Sequence, residues 1–546
     1  MKPLAQLRAA GALLAVLLLA SCASTAPPPP PRLVVLLVID GLPQRQLAAV
    51  RDQLAPDGLA RFLDRGAAFF DAHHGHAFTV TAAGHATLLT GAHPQRTGII
   101  GNEWRDIESG QPVYCVGDPT ASYIGHPTAP LDGTSPRNLQ VESLGDVLRA
   151  RDPRSRVIAI SGKDRGAILP AGRSGTAYMY MAASGRFASS TYYMPQHPVW
   201  VEAFHASRPA DRWFRAEWKP LLPEAAYARS LPDDQPWFGP GGGRLPMRMA
   251  APGDEAPGPA YYGGLLRSPF ADALALDFAR AAIAGEQLGA DDAPDILSVS
   301  LSGHDYVNHR WSAESRLSHD HLLQVDRLLQ DFFAELDRSV GRDRYVAALS
   351  SDHGFMPAPE LRRAQGLPGG RVATRQLLDA VNAALQQRFG VARLVAFPSA
   401  SALVLDRDLL AAAGLPLDTV AAAAREALLA QPQVAAAYTR AELASGSRAG
   451  APLFQAMRRT WHPQRSGDVQ FALQPHWMFG AAVATHGSPH EYDSHVPLLL
   501  WGPRWIRPAA VAQRVEVADL APTLARLLQV PPPAASEGRP LPLLPP

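Results

Sequence analysis

The sequence has few cysteines and almost no net charge, and each of these features excludes some classes of protein. Only 2 of its 546 residues are Cys, so its stability must come from a packed core and from any bound metals. Cys115 lies in the apolar stretch Pro112–Gly117 and is predicted to be a small buried residue, not a nucleophile. The formal net charge is +1, so no bulk charge attracts a nucleic-acid duplex, and attraction for an anionic substrate must be local.

The N-terminus has the pattern of an export signal. Lys2 and Arg8 form a positively charged start, and the apolar run Ala9–Ala20 follows them. This run has 12 residues, which is too short to span a bilayer comfortably. We therefore expect residues 1–21 to be a signal peptide and the protein to be exported to the periplasm.

The segment Leu19–Cys22 resembles a bacterial lipoprotein cleavage box, which implies that Cys22 carries a lipid. An ordinary secretory signal with an incidental cysteine is the alternative. Ala23 resembles the following residue of lipoproteins sent to the outer membrane, so we expect membrane contact there, through the lipid on Cys22 alone. Residues 22–31 are rich in Pro and predict an extended tether. With Cys22 lipidated, no intrachain disulfide is expected.

Strand-like and helix-like segments alternate from about residue 32 to about residue 540. This alternation predicts an α/β sandwich in which a central, mostly parallel β-sheet is flanked by helices. Two irregular stretches, about 170–260 and about 360–470, are predicted to be cap insertions, the first rich in Trp and the second in Ala. Apolar residues at helical spacing over 322–336 predict an amphipathic helix before a strand at 345.

Six acidic and histidine side chains stand at or just past the ends of strand-like runs that are far apart in sequence. They are Asp40, Asp305, His309, Asp352, His353 and His486. Because ligands bind outside the carboxyl ends of parallel strands, four remote segments can deliver these side chains to one place. Asp305 and His309 are four residues apart, which puts both on one side of a helical turn. Asp and His ligands without Cys suit zinc or a similar divalent ion.

The segment Ala77–Trp104 places a hydroxyl group at a predicted helix start. Thr81 precedes this helix, so its hydroxyl is predicted to lie near the positive helix N-terminus. An N-cap is the ordinary alternative, and one residue can serve both purposes. His85 is predicted to hydrogen-bond near the site without being a ligand. The other histidines of this region are predicted to lie in loops or at the surface: His73, His74, His76 and His93.

Seven motifs along the chain resemble those of the alkaline phosphatase superfamily, most closely the bacterial phosphate-irrepressible alkaline phosphatases with a threonine nucleophile. The resemblance runs from about residue 32 to about residue 540 and includes the insertions. The motifs are VIDGL at Asp40, TAAGHATLLTG at Thr81, GNEW at Asn102, SGKDRGA at Lys163 and Arg165, SGHDYVNH at Asp305 and His309, SSDHGF at Asp352 and His353, and THGSPHEYDSHVP at His486.

The resemblance implies a zinc-dependent enzyme that hydrolyses small-molecule phosphate monoesters outside the cytoplasm. It implies that Thr81 is the nucleophile and forms a phospho-threonine intermediate. It also implies two zinc ions, with these ligands: Asp305, His309 and His486 for one, and Asp40, Asp352 and His353 for the other, which touches Thr81. Each ion then has three protein ligands and an open position, as catalytic zinc does.

The resemblance further implies that Asn102, Lys163 and Arg165 bind the substrate phosphoryl group. A phosphate monoester has two negative charges and three non-bridging oxygens, which two cations and an amide suit. A diester has one charge and a second bulky group, so it would gain less from these residues. The main alternative is a phosphodiesterase or nucleotide pyrophosphatase on the same metal site.

Two further alternatives are disfavoured by the sequence. A sulfatase would need a C/S-x-P-x-R motif, and Thr81–His85 does not match it. A catalytically inactive binding lipoprotein is disfavoured because the nucleophile and every ligand position are retained. No pattern in the sequence predicts an oligomeric state.

Overall fold

The computed structural model describes residues 28–239 and 241–543. The predicted signal peptide, Cys22 and the first part of the tether lie outside the described residues. Within the described ranges, no helix is both long enough and apolar enough to cross a membrane.

A nine-stranded sheet forms the centre of the fold. In chain order its strands are β1 (Leu33–Ile39), β2 (Ala67–Phe69), β3 (Val157–Ser161), β4 (Thr176–Met181), β5 (Arg186–Ala188), β6 (Asp295–Leu301), β7 (Tyr345–Ser350), β8 (Leu498–Trp501) and β9 (Ala509–Val511). Their order across the sheet is β9–β2–β8–β7–β1–β6–β3–β4–β5. The five strands from β7 to β4 are mutually parallel, whereas β8 and β5 run antiparallel to their neighbours.

Helices cover both faces of this sheet. The principal ones are α1 (Thr81–Thr90), α2 (Asp164–Ala171), α3 (Pro269–Glu286), α4 (Gly303–Trp311), α5 (Arg316–Leu336) and α6 (Leu520–Leu528). Alternate residues of β1 face opposite ways, as they must in a strand. The face of β1 that includes Leu33 and Val35 packs with α3 and α5. The opposite face, which includes Val34 and Leu36, packs with α1 and α6.

The predicted fold class is confirmed, and β1 explains why the prediction succeeds. All seven residues of β1 are apolar and buried, as expected for a parallel strand covered on both faces. The amphipathic helix predicted over 322–336 makes up most of α5, and the strand predicted from Tyr345 to Ser350 is β7.

The first irregular stretch contains more regular structure than the sequence suggested. Its beginning forms β4 and β5, which complete one edge of the main sheet, so the boundary near residue 170 is corrected to a point after Ala188. β5 is only three residues long and follows a tight turn, which left little periodicity to detect. The remainder, up to Pro259, has short elements such as the helix Val199–Ala206, and its buried Trp218 joins the core beside α3 and α5.

The second irregular stretch is a small α/β unit with its own apolar core. Its sheet contains the strands Val395–Ser399, Ala402–Leu405, Val469–Leu473 and Val434–Thr439, in that order. Its helices are Thr374–Phe389, Arg407–Ala413 and Leu417–Leu429. A two-stranded ladder of Gly370–Val372 with Trp477–Phe479 lies where this unit leaves and rejoins the main chain path. The sequence predicted helices here but not the sheet.

Candidate active site

Four adjacent strands of the main sheet deliver polar side chains to one edge. Asp40 follows β1, Asp305 lies in the first turn of α4 after β6, Asp352 and His353 follow β7, and Lys163 follows β3. All five side chains are buried. The carboxyl ends of parallel strands thus bring residues more than three hundred positions apart into contact, as the sequence pattern predicted.

Three histidines present the same nitrogen to this cluster. His353 Nδ1 lies 2.9 Å from the carbonyl oxygen of Gly354, His309 Nδ1 lies 3.0 Å from that of Ala484, and His486 Nδ1 lies 2.9 Å from that of Thr79. A carbonyl oxygen can only accept, so each Nδ1 carries the proton and each Nε2 keeps a free lone pair. This arrangement fixes ring orientation in metal-ligating histidines.

The free nitrogens face carboxylate oxygens. His353 Nε2 lies 3.3 Å from Asp352 Oδ2 and 3.6 Å from Asp40 Oδ1, and His486 Nε2 lies 3.6 Å from Asp305 Oδ1. Within the described part of the chain, no hydrogen-bond donor reaches Asp40 Oδ1 or Asp305 Oδ1, although both are buried. Lone pairs and carboxylate oxygens at such distances repel unless a cation lies between them, so the donor set fits divalent metal ions.

The ligand atoms fall into two overlapping groups, each able to hold an ion. One group is Asp40, Asp352 and His353, and the other is Asp305, His353 and His486. Within each group the atoms lie within 4.8 Å of one another. His309 stands slightly apart from the second group, with its Nε2 at 3.4 Å from Asp305 Oδ1 and its ring 5.1 Å from that of His486.

Burial and charge set the ionisation of these groups. Burial raises the pKa of Asp40 well above its usual range, and the nearby charge of Asp352 adds to the rise. Burial also acts to raise the pKa of Asp305, but the positive charge of Lys163 brings it well below its usual range. Burial lowers the pKa of His353 and of His486, which keeps both imidazoles neutral and able to bind a metal.

Thr81 lies against this cluster at the start of α1. The structure places Val80 at the N-cap and Thr81 as the first helical residue, so the N-cap alternative for Thr81 is wrong. Its hydroxyl oxygen is 3.4 Å from Lys163 Nζ and 3.4 Å from His353 Nε2. The side-chain oxygen Oδ1 of Asn102 accepts a hydrogen bond of 2.9 Å from the backbone N–H of Ala82, the next residue of α1.

Lys163 and Arg165 bring positive charge to the same place. Lys163 Nζ lies 2.7 Å from Asp40 Oδ2 and 2.6 Å from Asp305 Oδ2, so it bridges the two carboxylates. Arg165 follows in the first turn of α2, and its positive charge acts to lower the pKa of Lys163. Its Nη1 is 3.2 Å from the hydroxyl oxygen of Tyr114.

Sequence reasoning missed Tyr114, and it did not predict that four histidines of the neighbouring segments are buried. Tyr114 is the last residue of the short strand Pro112–Tyr114 and belongs to no motif. Cys115, which follows it, is buried as predicted. His85 contacts the site, as predicted, through Asp352 Oδ2 at 3.2 Å and Ser300 Oγ at 2.9 Å. Of the four histidines expected in loops or at the surface, His74, His76 and His93 do lie in loops and His73 ends a two-residue strand, but all four are at most 4% exposed.

Comparison with known proteins identifies the class to which this site belongs. The family model described as type I phosphodiesterase / nucleotide pyrophosphatase matches residues 34–495. Alkaline phosphatase PafA of Elizabethkingia meningoseptica is 33% identical over 514 residues, which cover 92% of each chain. The chain therefore belongs to the type I phosphodiesterase / nucleotide pyrophosphatase family of the alkaline phosphatase superfamily, and the resemblance inferred from the motifs is confirmed.

Several relatives at this level of identity are alkaline phosphatases, and the chain is an enzyme of that type. A crystal structure of PafA has a TM-score of 0.86 at 32% identity, covering 94% of this chain and 99% of its own. Alkaline phosphatase PhoV of Synechococcus elongatus is 33% identical and covers 84% of this chain and 83% of its own. A Myroides odoratus protein described as a calcium-transporting ATPase is 32% identical, covering 92% of this chain and 93% of its own.

A solved variant of PafA is altered at one threonine, one asparagine, one lysine and one arginine, and its TM-score is also 0.86. The same four residue types stand in this chain, in the same order, at Thr81, Asn102, Lys163 and Arg165. The Thr-to-Asn and Lys-to-Arg spacings are also the same.

Proposed function

We propose that this chain is a zinc-dependent phosphatase that hydrolyses phosphate monoesters through a phospho-threonine intermediate, outside the cytoplasm. The observation that carries the proposal is the position of the Thr81 hydroxyl. It lies 3.4 Å from both Lys163 Nζ and His353 Nε2, at a cluster of buried carboxylates and neutral histidines. A nucleophile, a cation and two potential metal sites at one point suit phosphoryl transfer.

Two zinc ions per chain would be held by the following residues: Asp305, His309 and His486 for one, and Asp40, Asp352 and His353 for the other, with Thr81 touching the second. When bound, such cations stabilise negative charge on the attacking and leaving oxygens of an in-line displacement. The choice of zinc rests on the donor set, in which nitrogen and carboxylate ligands occur without cysteine.

The protein's own groups would act as follows. Thr81 gives up its hydroxyl proton to water, and its oxygen forms a bond to phosphorus while the bond from phosphorus to the substrate alkoxide oxygen breaks. The departing alkoxide takes a proton from water and leaves as the alcohol. The positive charge of Lys163 beside the hydroxyl favours its deprotonated form. The Asn102 amide nitrogen, the Lys163 ammonium group and the Arg165 guanidinium group bind the non-bridging oxygens. Water then cleaves the phospho-threonine, which releases inorganic phosphate and restores the hydroxyl.

The two cations also support monoesters over diesters as substrates. Burial acts to lower the pKa values of Lys163 and Arg165, but neighbouring acidic or phenolic groups outweigh it and leave both pKa values above their usual ranges, so both stay charged in alkaline solution. Two fixed positive charges match the second negative charge of a monoester. A phosphodiesterase on the same site is the alternative, since the family name includes that activity.

The predicted leader supports action outside the cytoplasm. We propose export to the periplasm and an outer-membrane anchor through a lipid on Cys22, followed by a tether and a catalytic domain over about 32–540. Mass spectrometry of the protein from its native membrane fraction tests this directly. A mature N-terminus at Cys22 bearing a lipid would support the anchor, and an unmodified mature N-terminus at another residue would contradict it.

The activity is tested by paired turnover of an aryl phosphate monoester and an aryl phosphate diester. The protein used begins after Pro31 and is assayed as purified, after chelation, and after zinc is returned. Dominant monoesterase activity that is lost with the metal and restored by zinc is expected. Dominant diesterase activity would overturn the substrate assignment, and activity that survives complete metal removal would overturn the metal assignment.

A further inference from the structure

A cavity of about 410 Å³ opens beside the candidate active site. Asn102, His309 and His486 are in its wall, so the cavity is continuous with the site. Thr81 and Lys163 are not among the residues that line it. The cavity therefore meets the site beside His309 and His486, and Thr81 and Lys163 lie outside its wall.

Much of the cavity wall is aromatic or apolar. The relevant side chains are Phe78, Met457, Phe471, Trp477 and Phe479. Phe471 comes from the smaller sheet, and Trp477 and Phe479 come from the ladder that joins this sheet to the main chain path. The rings of Phe471 and Phe479 meet edge to face with centroids 6.2 Å apart. Such a wall accommodates a flat ring better than a charged or heavily hydroxylated group.

Two acceptor groups interrupt this apolar lining. Gln470 Oε1 and Asp493 Oδ1 belong to residues that line the cavity, and neither atom has a donor among the described residues. The other Asp493 oxygen accepts hydrogen bonds from the backbone N–H and the hydroxyl of Ser488, at 2.9 and 2.6 Å, which fixes the carboxyl group in place. Apolar walls with a few fixed polar groups are typical of a binding site for an organic molecule.

The direction of phosphoryl transfer connects this cavity to the substrate. In an in-line displacement the alcohol departs on the side of phosphorus opposite the attacking hydroxyl. We infer that the cavity is the leaving-group site and that the enzyme prefers phosphate monoesters of alcohols that carry an aromatic ring. The inference rests on the monoesterase activity proposed above. It assigns leaving-group recognition to the smaller α/β unit, not to the Trp-rich stretch beyond Ala188.

The test compares two esters that differ only by the ring, propyl phosphate and 3-phenylpropyl phosphate. Their alcohols are nearly equal in acidity, so intrinsic reactivity does not separate them. Burial of a phenyl group is expected to raise kcat/KM for the phenylpropyl ester by about 10- to 100-fold over that for the propyl ester. The ratio of the two kcat/KM values is the quantity to follow, because a general loss of activity cancels from it.

Matched tryptophan variants locate the ring. Trp477→Ala should bring the ratio close to one. Trp213→Ala should leave the ratio unchanged, because Trp213, in the Trp-rich stretch, stacks on Phe270 of α3 and does not line the cavity. Phe479→Leu is a milder second variant, should Trp477→Ala fail to fold, and it should lower the ratio about threefold or more.

The outcomes separate this inference from the proposed function. A ratio near one in the native protein, with both monoesters hydrolysed, would overturn the inference and leave the monoesterase intact. A high ratio that survives both cavity variants would place the ring elsewhere and would also overturn it. Failure to hydrolyse either monoester, with a diester hydrolysed, would overturn the proposed function itself.

Discussion

The hydroxyl oxygen of Tyr114 accepts a hydrogen bond from the guanidinium group of Arg165 at 3.2 Å. The same hydroxyl donates to Asp164 Oδ1 at 2.6 Å. Burial raises the pKa of Tyr114, and the adjacent charge of Asp164 raises it further, so the phenol keeps its proton and both hydrogen bonds. The position of Arg165 is thus held by a residue about fifty positions away in sequence.

Arg165→Ala should lower kcat/KM for a phosphate monoester by about 10²–10³-fold, because one donor to the phosphoryl oxygens is lost. The loss for a diester should be much smaller, since a diester has one negative charge fewer. The two substrates are compared on the same preparation, with Arg173→Ala, an exposed residue just beyond the end of α2, as the control. Equal losses on both substrates would mean that Arg165 does not contact the additional phosphoryl charge.

Tyr114→Phe should lower monoester kcat/KM by about 3- to 10-fold, which corresponds to the loss of one hydrogen bond that orients Arg165. The bound metal should be unchanged, because Tyr114 contacts none of the proposed ligands. The double variant with Arg165→Ala distinguishes positioning from a general structural effect. In that background Tyr114→Phe should cost little more, and a full additional loss would rule out action through Arg165.

Thr81→Ala should abolish monoester turnover, because no other hydroxyl occupies the position beside Lys163 and His353 in the described ranges. Metal content, measured by mass spectrometry of the elements, should match that of the native protein. Thr81→Ser retains a hydroxyl and should retain measurable turnover. Native rates in Thr81→Ala would exclude Thr81 as the nucleophile.

Gly84→Ala should disrupt the site by moving α1. A Cβ atom at residue 84 would lie 1.9 Å from the carbonyl oxygen of Asp352, which is backbone and cannot rotate away. We expect a loss of about 1–3 kcal/mol or more in the free energy of unfolding, together with a large loss of turnover. Gly263→Ala is the matched control, because a Cβ atom there meets nothing within 4 Å. Equal thermal midpoints for the two variants would contradict the close packing of α1.

Asp493→Asn should change the dependence of stability on pH. Burial raises the pKa of Asp493 in the folded protein from 3.8 to about 7. The folded state therefore binds this proton more tightly than the unfolded state does, so stability falls as pH rises between about 4 and about 7. The slope is at most about 1.4 kcal/mol per pH unit. Asn cannot titrate, so the variant should not lose this stability. Its unfolding midpoint should therefore rise relative to that of the native protein between pH 5 and pH 8. A constant difference would show that Asp493 does not titrate in this window.

The sequence predicted most of the main sheet because its strands are short, apolar and bounded by polar residues. Asp40, Asp352 and His353 directly follow such runs. Their convergence could be predicted because the carboxyl ends of parallel strands lie at the same edge of a sheet. The smaller sheet was not predictable in the same way. Its strand Val434–Thr439 contains three successive alanines, which favour a helix locally, and tertiary packing overrides that preference.

Contacts between remote segments were also beyond the sequence pattern. No local spacing in the sequence predicts the hydrogen bond between Tyr114 and Arg165. His74 and His76 lie among polar loop residues, which suggests exposure. In the folded chain His74 donates to the carbonyl oxygen of Ser351 at 3.0 Å, and packing against other segments buries both rings. Burial of this kind depends on the assembled fold, and no periodicity in the sequence encodes it.

The three histidines of the site are each held through Nδ1 by a main-chain oxygen, those of Gly354, Ala484 and Thr79. Replacing a side chain does not remove a peptide carbonyl. Substitutions at Gly354, Ala484 and Thr79 that leave the backbone in place therefore keep the hydrogen bonds that orient the three histidine rings. The cavity wall is different, because side chains alone define it. Divergence can therefore reshape what the site accepts while the metal-facing nitrogens stay where they are, and relatives with the same ligands need not share substrates.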